Sequence, residues 1–505
     1  MKILGVSAGF HDAALTVLHN HKIIFAGHSE RSSKKKNDSS VSISLQQQAR
    51  EHGPFDKIVY YEKPYKRQLR KVRSGESWGG NWRTESELRA TIPFIMEGTT
   101  AKISSVGHHL SHAAAGFQTS PFDDATVVVI DAIGESDTIS IYNCYYNGAC
   151  LAGEHAKAHY DLIYKQSYPH SIGMFYSAVT KRVGLKPMDE EYITMGMAAY
   201  GDASKAYETL RNATVKFTDI PVFEDNLHLG IDDLTFLADV TNEDIAAAGQ
   251  QLCEEMIMGV MRRAKSEGKS KNLVYMGGVA LNCVANRRLG ELFANIWIMP
   301  NPGDAGSSLG AAAIEYGRDI RFNTAFLGTD IKGDYPVKDL TYFLKKNQIV
   351  GVASGRAEFG PRALGNRSLL ADPRGTDIKD RVNEIKRRQK FRPFAPVILE
   401  EHVHEYFNMP INQPTSRYMQ VVAECKKPLE FPAIVHVDGT SRVQTVPIGN
   451  SGIRKLLEAW YNETGCPMLL NTSLNIRGEP MVDTRADADR FTYSSTFKDG
   501  SSYCI

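Results

Sequence analysis

Residues 106–131 read VGHHLSHAAAGFQTSPFDDATVVVID and combine two imidazoles with a carboxylate. His108 and His112 stand four residues apart in a run of small residues that favours a helix. Side chains at i and i+4 share one helical face, so both rings can point at the same ion. After a loop, the apolar run Val127 to Ile130 predicts a buried strand that delivers Asp131 at its C-terminal end. Two histidines on a helix and a carboxylate at a strand end suit a first-row divalent metal such as Fe, Mn or Zn. The same histidine spacing also occurs in ordinary core helices, so the flanking sequence has to decide.

At 505 residues the chain exceeds what one core of roughly 250–300 residues holds, which predicts two or more domains. A net charge of +1 excludes a global pull toward nucleic acid or membrane and leaves only local patches. No apolar run is long enough to span a bilayer. The opening MKILGVSAGFHDAALTVL, with one Lys and an early His-Asp pair, makes a poor signal peptide. The seven cysteines are scattered without a C-x-x-C, which points to packing thiols in a reducing cytoplasm.

Lys2 to Val6, Ala14 to Leu18 and Lys22 to Ala26 predict a strand meander with His11 at its first turn. Such an opening is similar to actin-like and sugar-kinase-like domains, where the first hairpin faces the nucleotide. Lys63 to Trp82 interleaves six cations with Trp78 and Trp82, as a groove for a phosphodiester chain would, and also as a solvated helix face would. Asp131 leads into Gly134-Glu135, a turn able to bring backbone amides near an anion. Helices are expected over 171–183, 190–201, 242–265 and 283–292. Two strand-to-glycine turns follow in series, Gly277-Gly278 through Asn282 and Gly303-Asp304-Ala305-Gly306, as a nucleotide cleft in an open sheet requires. Asp304 thereby becomes a fourth potential ligand. Residues 319–348 read as a linker with a short helix, and a new α/β unit starts at Ile349. Its turns hold Arg362, a helix dense in cations from Lys379 to Lys390, Arg392, Arg442, Asn471 and Ser473, which suits phosphates.

HHLSHAAAGF, DAIGES, GGVALN, NPGDAGSSLGAA, FGPRALGNRSLLADPR, FRPFAPVIL, RVQTV and LLNTSLNIRGEP occur in this order. Together they resemble the NodU and CmcH family of O-carbamoyltransferases over nearly the whole chain. The resemblance implies an α/β protein of two modules. Residues 1–330 would be an actin-like ATPase-superfamily domain similar to threonylcarbamoyl transferases, and residues 349–505 a smaller YrdC-like domain. The C-terminal module would make carbamoyl-adenylate from ATP (with Mg) and carbamoyl phosphate. The N-terminal module would transfer the carbamoyl group to an acceptor hydroxyl. His108, His112, Asp131 and Asp304 would hold Fe(II) or another divalent metal. His11 matches the family's general base, and a pKa near neutrality would suit that role. Gly134, Glu135, Gly277, Gly278, Asn282 and Gly306 would surround the adenylate. Arg362, Lys386 and Arg392 match the cationic set for ATP and carbamoyl phosphate, with Arg417, Arg442, Asn471 and Ser473 as further carry-overs.

The pattern departs from the family at three places. Gln389 stands where an acidic residue is usual, residues 482–485 lack a proline, and HSERSSKKKND (28–38) follows the family only in part. The last lies near the acceptor entrance in such folds and leaves the acceptor open. The Lys63–Trp82 segment raises a hydroxymethylated pyrimidine in DNA or a nucleotide as one class of acceptor. A sugar or antibiotic-like hydroxyl is the other class, and a non-catalytic nucleotide-binding regulator the other kind of function. Family members can dimerise, and a homodimer is compatible with this sequence.

Overall fold

The computed structural model describes residues 1–73, 79–147, 156–216, 220–231, 233, 235–494 and 504–505. Two five-stranded sheets repeat one plan. In the first, β1 (Lys2–Ser7), β2 (Ala14–His19) and β3 (Lys22–His28) form an antiparallel meander. From the other side of β1, β4 (Lys57–Tyr60) and β5 (Lys102–Ser105) continue in parallel. In the second, β6 (Asp124–Gly134), β7 (Asp137–Asn147) and β8 (Lys157–Ser167) are the meander. The strands Asn272–Met276 and Asn295–Trp297 are its parallel extension. The β6 side chains serve two cores by simple alternation: Val127 and Val129 face one, Val128 and Ile130 the other.

Two helices lie between the sheets. His108–Phe117 packs on the second sheet, Ser307–Tyr316 on the first, and the two pack on each other. Their alanine and glycine runs allow this. A Cβ on Gly116 would come within 2.5 Å of Val274, and one on Gly310 within 1.7 Å of the Ser111 carbonyl oxygen. Small residues are needed because a dense interior leaves no room for more between stacked layers. The outer face of the second sheet is covered by Ile172–Arg182 and by Asn242–Glu267, which Thr241 caps through its side chain.

The C-terminal sheet runs in the order Ile349–Ala353, Arg367–Ala371, Met468–Ser473, Ala395–Leu399, Gln444–Val446, around its own core with Trp460 buried within it. Three expectations need correcting. Residues 319–348 are not a plain linker: Phe326–Ile331 is a strand paired with Gly355–Glu358. The cation-dense helix stops at Ile385, Lys386 turns inward, and Arg387 takes a left-handed φ of 50°. The turn is held locally, the Arg388 amide donating to the Asn383 carbonyl and the Asn383 side chain to the Lys390 carbonyl at 3.2 Å. Residues 283–292 form only the short helix Cys283–Asn286 and a 3-10 turn at Leu289–Glu291. The six described cysteines are free thiols, and no helix among the described residues is long and apolar enough to cross a membrane.

Candidate active site

The helix His108–Phe117 brings both imidazoles onto one face, as its spacing requires, and β6 brings Asp131 to them. The ladder between β6 and β7 breaks between Ile130 and Gly134, and this irregularity turns Asp131 toward the histidines. Asp304 arrives from the turn before Ser307–Tyr316. The two Nε2 atoms lie 3.1 Å apart. His108 Nε2 is 3.3 Å from Asp131 and 3.4 Å from Asp304, and His112 Nε2 is 3.4 Å and 3.3 Å from the same carboxylates. A tetrahedral ion with bonds near 2.0–2.2 Å has ligand–ligand edges of about 3.3–3.6 Å, so the four imidazole–carboxylate edges fit a first-row divalent metal, and the imidazole–imidazole edge is slightly short. All four ligand atoms lie within 4.8 Å of one another.

The surroundings support the same fit. His112 Nδ1 donates to the Pro302 carbonyl at 3.0 Å, which leaves the Nε2 lone pair for a ligand. Behind His108 stands Glu62, 3.7 Å from Nδ1. Glu62 is held by Arg67 at 2.6 Å, which also pairs with Glu87 at 2.9 Å. Burial opposes charge on His108 and His112, yet the two carboxylates raise both imidazoles, and the histidines in turn hold both carboxyls below their ordinary range. The pocket therefore favours positive charge at its centre, which a divalent ion supplies in place of protons.

One cavity of about 950 Å³ is lined by Asp131, Asp304, His11 and Gly278 and also by Asn282, Arg362, Lys386, Arg388, Arg392, Arg442, Asn471 and Ser473. Arg362, Lys386, Arg388, Arg392 and Arg442 form no ion pair with a carboxylate within the described residues. Lys386 Nζ instead donates to Ser473 and Asn475, at 3.0 Å to the Asn475 carbonyl and 2.9 Å to its side-chain oxygen. Arg388 lies over the Phe394 ring at 4.2 Å and Arg392 over Tyr192 at 4.9 Å. Burial, and then mutual repulsion, lowers Lys386 and Arg388 far below their usual values and brings Arg362 to about 9. Arg442 Nε and Asn471 Oδ1 are buried without a partner. A buried cluster of unneutralised cations and orphaned polar atoms is costly unless an anion completes it.

Other expected residues stand elsewhere. Arg417 pairs with Glu400 at 3.1 Å and does not line the cavity. Gly134 seats the His108 ring, which a Cβ there would meet at 2.2 Å, and Glu135 binds the Lys63 amide and Lys66. Gly277, with φ of 93°, and Gly306 shape tight turns behind the cavity, where a Cβ would meet Ile130 and Asn301 carbonyl oxygens at 2.1 Å and 1.8 Å. The Lys63–Trp82 segment gives up two cations: Arg67 is buried between Glu62 and Glu87, and Lys66 pairs with Glu135. Trp78 lies outside the described residues. Glu62, Arg388 and Tyr192 were missed: Glu62 comes beside His108 and Tyr192 beside Lys36 and Arg392 only in the fold, and Arg388 stands in sequence among cations that look alike.

Residues 81–313 match the family described as Carbamoyltransferase N-terminus and residues 341–499 that described as Carbamoyltransferase C-terminus, together more than half of the chain. The chain belongs to the carbamoyltransferase family. It is a carbamoyltransferase of the NodU and CmcH group that its motifs resemble. An uncharacterized protein of Synechocystis sp. is 33% identical to this carbamoyltransferase over 97% of this chain and 93% of its own. Nodulation protein NolNO of Sinorhizobium fredii is 31% identical over 97% of this chain and 78% of its own. The 3'-hydroxymethylcephem-O-carbamoyltransferase of Amycolatopsis lactamdurans is 26% identical and covers 94% of each. Among solved structures, full-length HypF in its phosphate- and nucleotide-bound form matches 62% of this chain and 55% of its own at 14% identity and a TM-score of 0.39, too loose an overlap to bear on the chemistry.

Proposed function

We propose that this carbamoyltransferase is ATP-dependent and works in two steps at two ends of one cavity. Residues 349–505, the YrdC-like module, take carbamoyl phosphate, ATP and water and release phosphate and pyrophosphate, leaving carbamoyl-adenylate. Residues 1–330, the actin-like module, move the carbamoyl group to an acceptor hydroxyl and release AMP. The repeated sheet plan supports the actin-like assignment. The observation that carries the two-step reading is one cavity lined both by the Asp131 and Asp304 carboxylates of the histidine–carboxylate cluster and by the unpaired cations.

Carbamate is a poor electrophile because its nitrogen donates into the carbonyl, and linkage to AMP supplies the leaving group. Arg362, Lys386, Arg388, Arg392 and Arg442 neutralise the triphosphate and the carbamoyl phosphate, with Lys386 fixed by Ser473 and Asn475. Carbamoyl-adenylate hydrolyses readily, so an interior path between the sites spares it from water. Gly278, whose amide donates to Asp131 at 3.2 Å, and Asn282 flank its arrival near the metal ligands. His108, His112, Asp131 and Asp304 would hold a divalent ion, Fe(II) by the family resemblance. When bound it would anchor the donor's phosphate and polarise its carbonyl. His11 takes the acceptor proton as the hydroxyl oxygen attacks the carbamoyl carbon.

The acceptor is the hydroxyl of a small molecule, of the sugar or antibiotic-like class. The walls near His11 carry Phe10, Glu30, Asn37 and the Lys36–Asp189 ion pair, which offers no unpaired cation to a phosphodiester. The DNA or nucleotide acceptor loses support because Arg67 and Lys66 are engaged in ion pairs. The test measures pyrophosphate release from ATP and carbamoyl phosphate with Mg and Fe(II), followed by mass spectrometry over an acceptor panel that includes hydroxymethylcytosine DNA. Pyrophosphate with a product heavier by about 43 Da is expected for a small-molecule acceptor. No pyrophosphate from folded, metal-loaded protein would overturn the adenylation step, and modified DNA would overturn the acceptor class.

A further inference from the structure

His11 is held where it cannot accept a proton. Its Nε2 lies 2.9 Å from the Met188 carbonyl oxygen and its Nδ1 3.0 Å from the Asp12 carboxylate. Both partners only accept hydrogen bonds, so both ring nitrogens carry protons and no lone pair remains. Burial opposes this charge, but Asp12 and the Met188 carbonyl outweigh it and push the His11 pKa up to about 10. The expected value near neutrality does not apply to this arrangement.

The blocking carbonyl is actively held. Met188 has a φ of 61°, an uncommon conformation for a residue with a side chain. Its amide donates to Glu191. The Asn37 side chain bonds both the Met188 carbonyl at 3.4 Å and the Asp189 carboxylate at 3.1 Å. Lys36 makes a close ion pair with the same carboxylate. The segment also reaches the other end of the cavity. The Tyr192 ring has Lys36 at 5.2 Å and Arg392 at 4.9 Å, and Arg477 contacts Glu190 at 3.4 Å. One short stretch therefore touches the base at one end and the cationic site at the other.

We propose that residues 186–192 form a catch on His11, closed by the Lys36–Asp189 pair and loosened when an anionic substrate draws Arg392 away from Tyr192. Asp189 and Lys36 are positioning residues that act through the Met188 carbonyl. This rests on the two-step reading above. Once released, His11 gives its Nε2 proton to solvent. It then takes the acceptor's hydroxyl proton while the oxygen bonds to the carbamoyl carbon and the bond to the AMP phosphate oxygen breaks. With water in place of the acceptor, the same transfer would waste the donor as AMP and carbamic acid. A closed catch withholds the base from that reaction.

Two measurements on the full-length protein test this. Diethyl pyrocarbonate acylates neutral imidazole but not imidazolium, and peptide mapping after brief treatment at pH 7 reads His11 alone. His11 should resist in the parent chain and react roughly tenfold or more faster in Asp189→Asn, since each unit of pKa lost is a tenfold gain in the neutral form. Equal rates overturn the catch. Without acceptor, the ratio of AMP to pyrophosphate released should rise several-fold in Asp189→Asn and return to the parent value in the His11→Asn/Asp189→Asn pair. A leak that survives loss of His11 also overturns it. Absence of pyrophosphate from the parent chain would sink the two-step reading instead, and the histidine reactivity would still decide the catch.

Discussion

An asparagine at position 11 can still hydrogen-bond Asp12 but cannot take a proton. His11→Asn should therefore cut transfer by roughly 10²–10⁴-fold while pyrophosphate release continues. Lys386→Ala removes the cation fixed by Ser473 and Asn475, and it should abolish pyrophosphate release itself. Equal loss of pyrophosphate in both variants would contradict the division between the two ends. His28 sets a different prediction, about stability. Its Nε2 accepts from Asn301 at 3.1 Å, and burial followed by the nearby Arg31 lowers its pKa to about 4. In the unfolded chain it titrates near 6.5, so between those values the unfolded state binds more protons. The contribution is present above pH 6.5 and is lost as the pH falls toward 4, on the order of 3 kcal/mol at most. Urea midpoints at pH 7.5 and 4.5 should differ less in His28→Gln than in the parent. His108, His112 and Asp131 were legible from the sequence because helical spacing and a strand end are local facts. Glu62 and Tyr192 were not, since their partners lie up to hundreds of residues away.

The site depends on how closely two helices approach. Gly310 meets the Ser111 carbonyl oxygen, and Ser111 lies between His108 and His112 in the same helix. Gly310→Ala must push Ser307–Tyr316 away from His108–Phe117, which carries Asp304 away from His108 and His112. Overpacking of this kind costs about 1–3 kcal/mol, so a lower urea midpoint and weaker metal retention are both expected. Metal retention unchanged in a folded variant would show that the ligand set tolerates the shift. Most elements could be read in advance: the opening meander, Val337–Asn347 and the long helix after Thr241 follow from apolar periodicity and caps. The cation-rich helix could not, because pattern alone does not reveal that the charges from Lys386 onward turn into a cavity. The strand Phe326–Ile331 was hidden for a similar reason, since its partner strand follows more than 20 residues later.

At the scale of the molecule, ties between distant segments hold the two ends in one body. Arg31 donates to the Gly360 carbonyl at 2.9 Å, and Arg356 to the Ile24 carbonyl at 2.8 Å. The Asp131–Asp304 end and the cationic end then face one interior. Protein stripped of its transition metal and supplied again with Mg alone should release pyrophosphate but form no carbamoylated product. Product formed without the metal would remove the cluster from the reaction. The motifs and their order were enough to establish an α/β chain of the carbamoyl-transfer class and to single out His108, His112, Asp131 and Asp304, which meet in one cluster, because each motif is a run of neighbouring residues. Which charges are available to a substrate was settled by folding. Arg67, Arg367 and Arg417 looked as free as Arg362 and Arg392, but Arg67 is paired with Glu62 and Glu87, and Arg417 with Glu400. Arg367 is spent on backbone carbonyls. A charge is neutralised by whatever the fold places beside it, and that neighbour has no fixed distance along the chain.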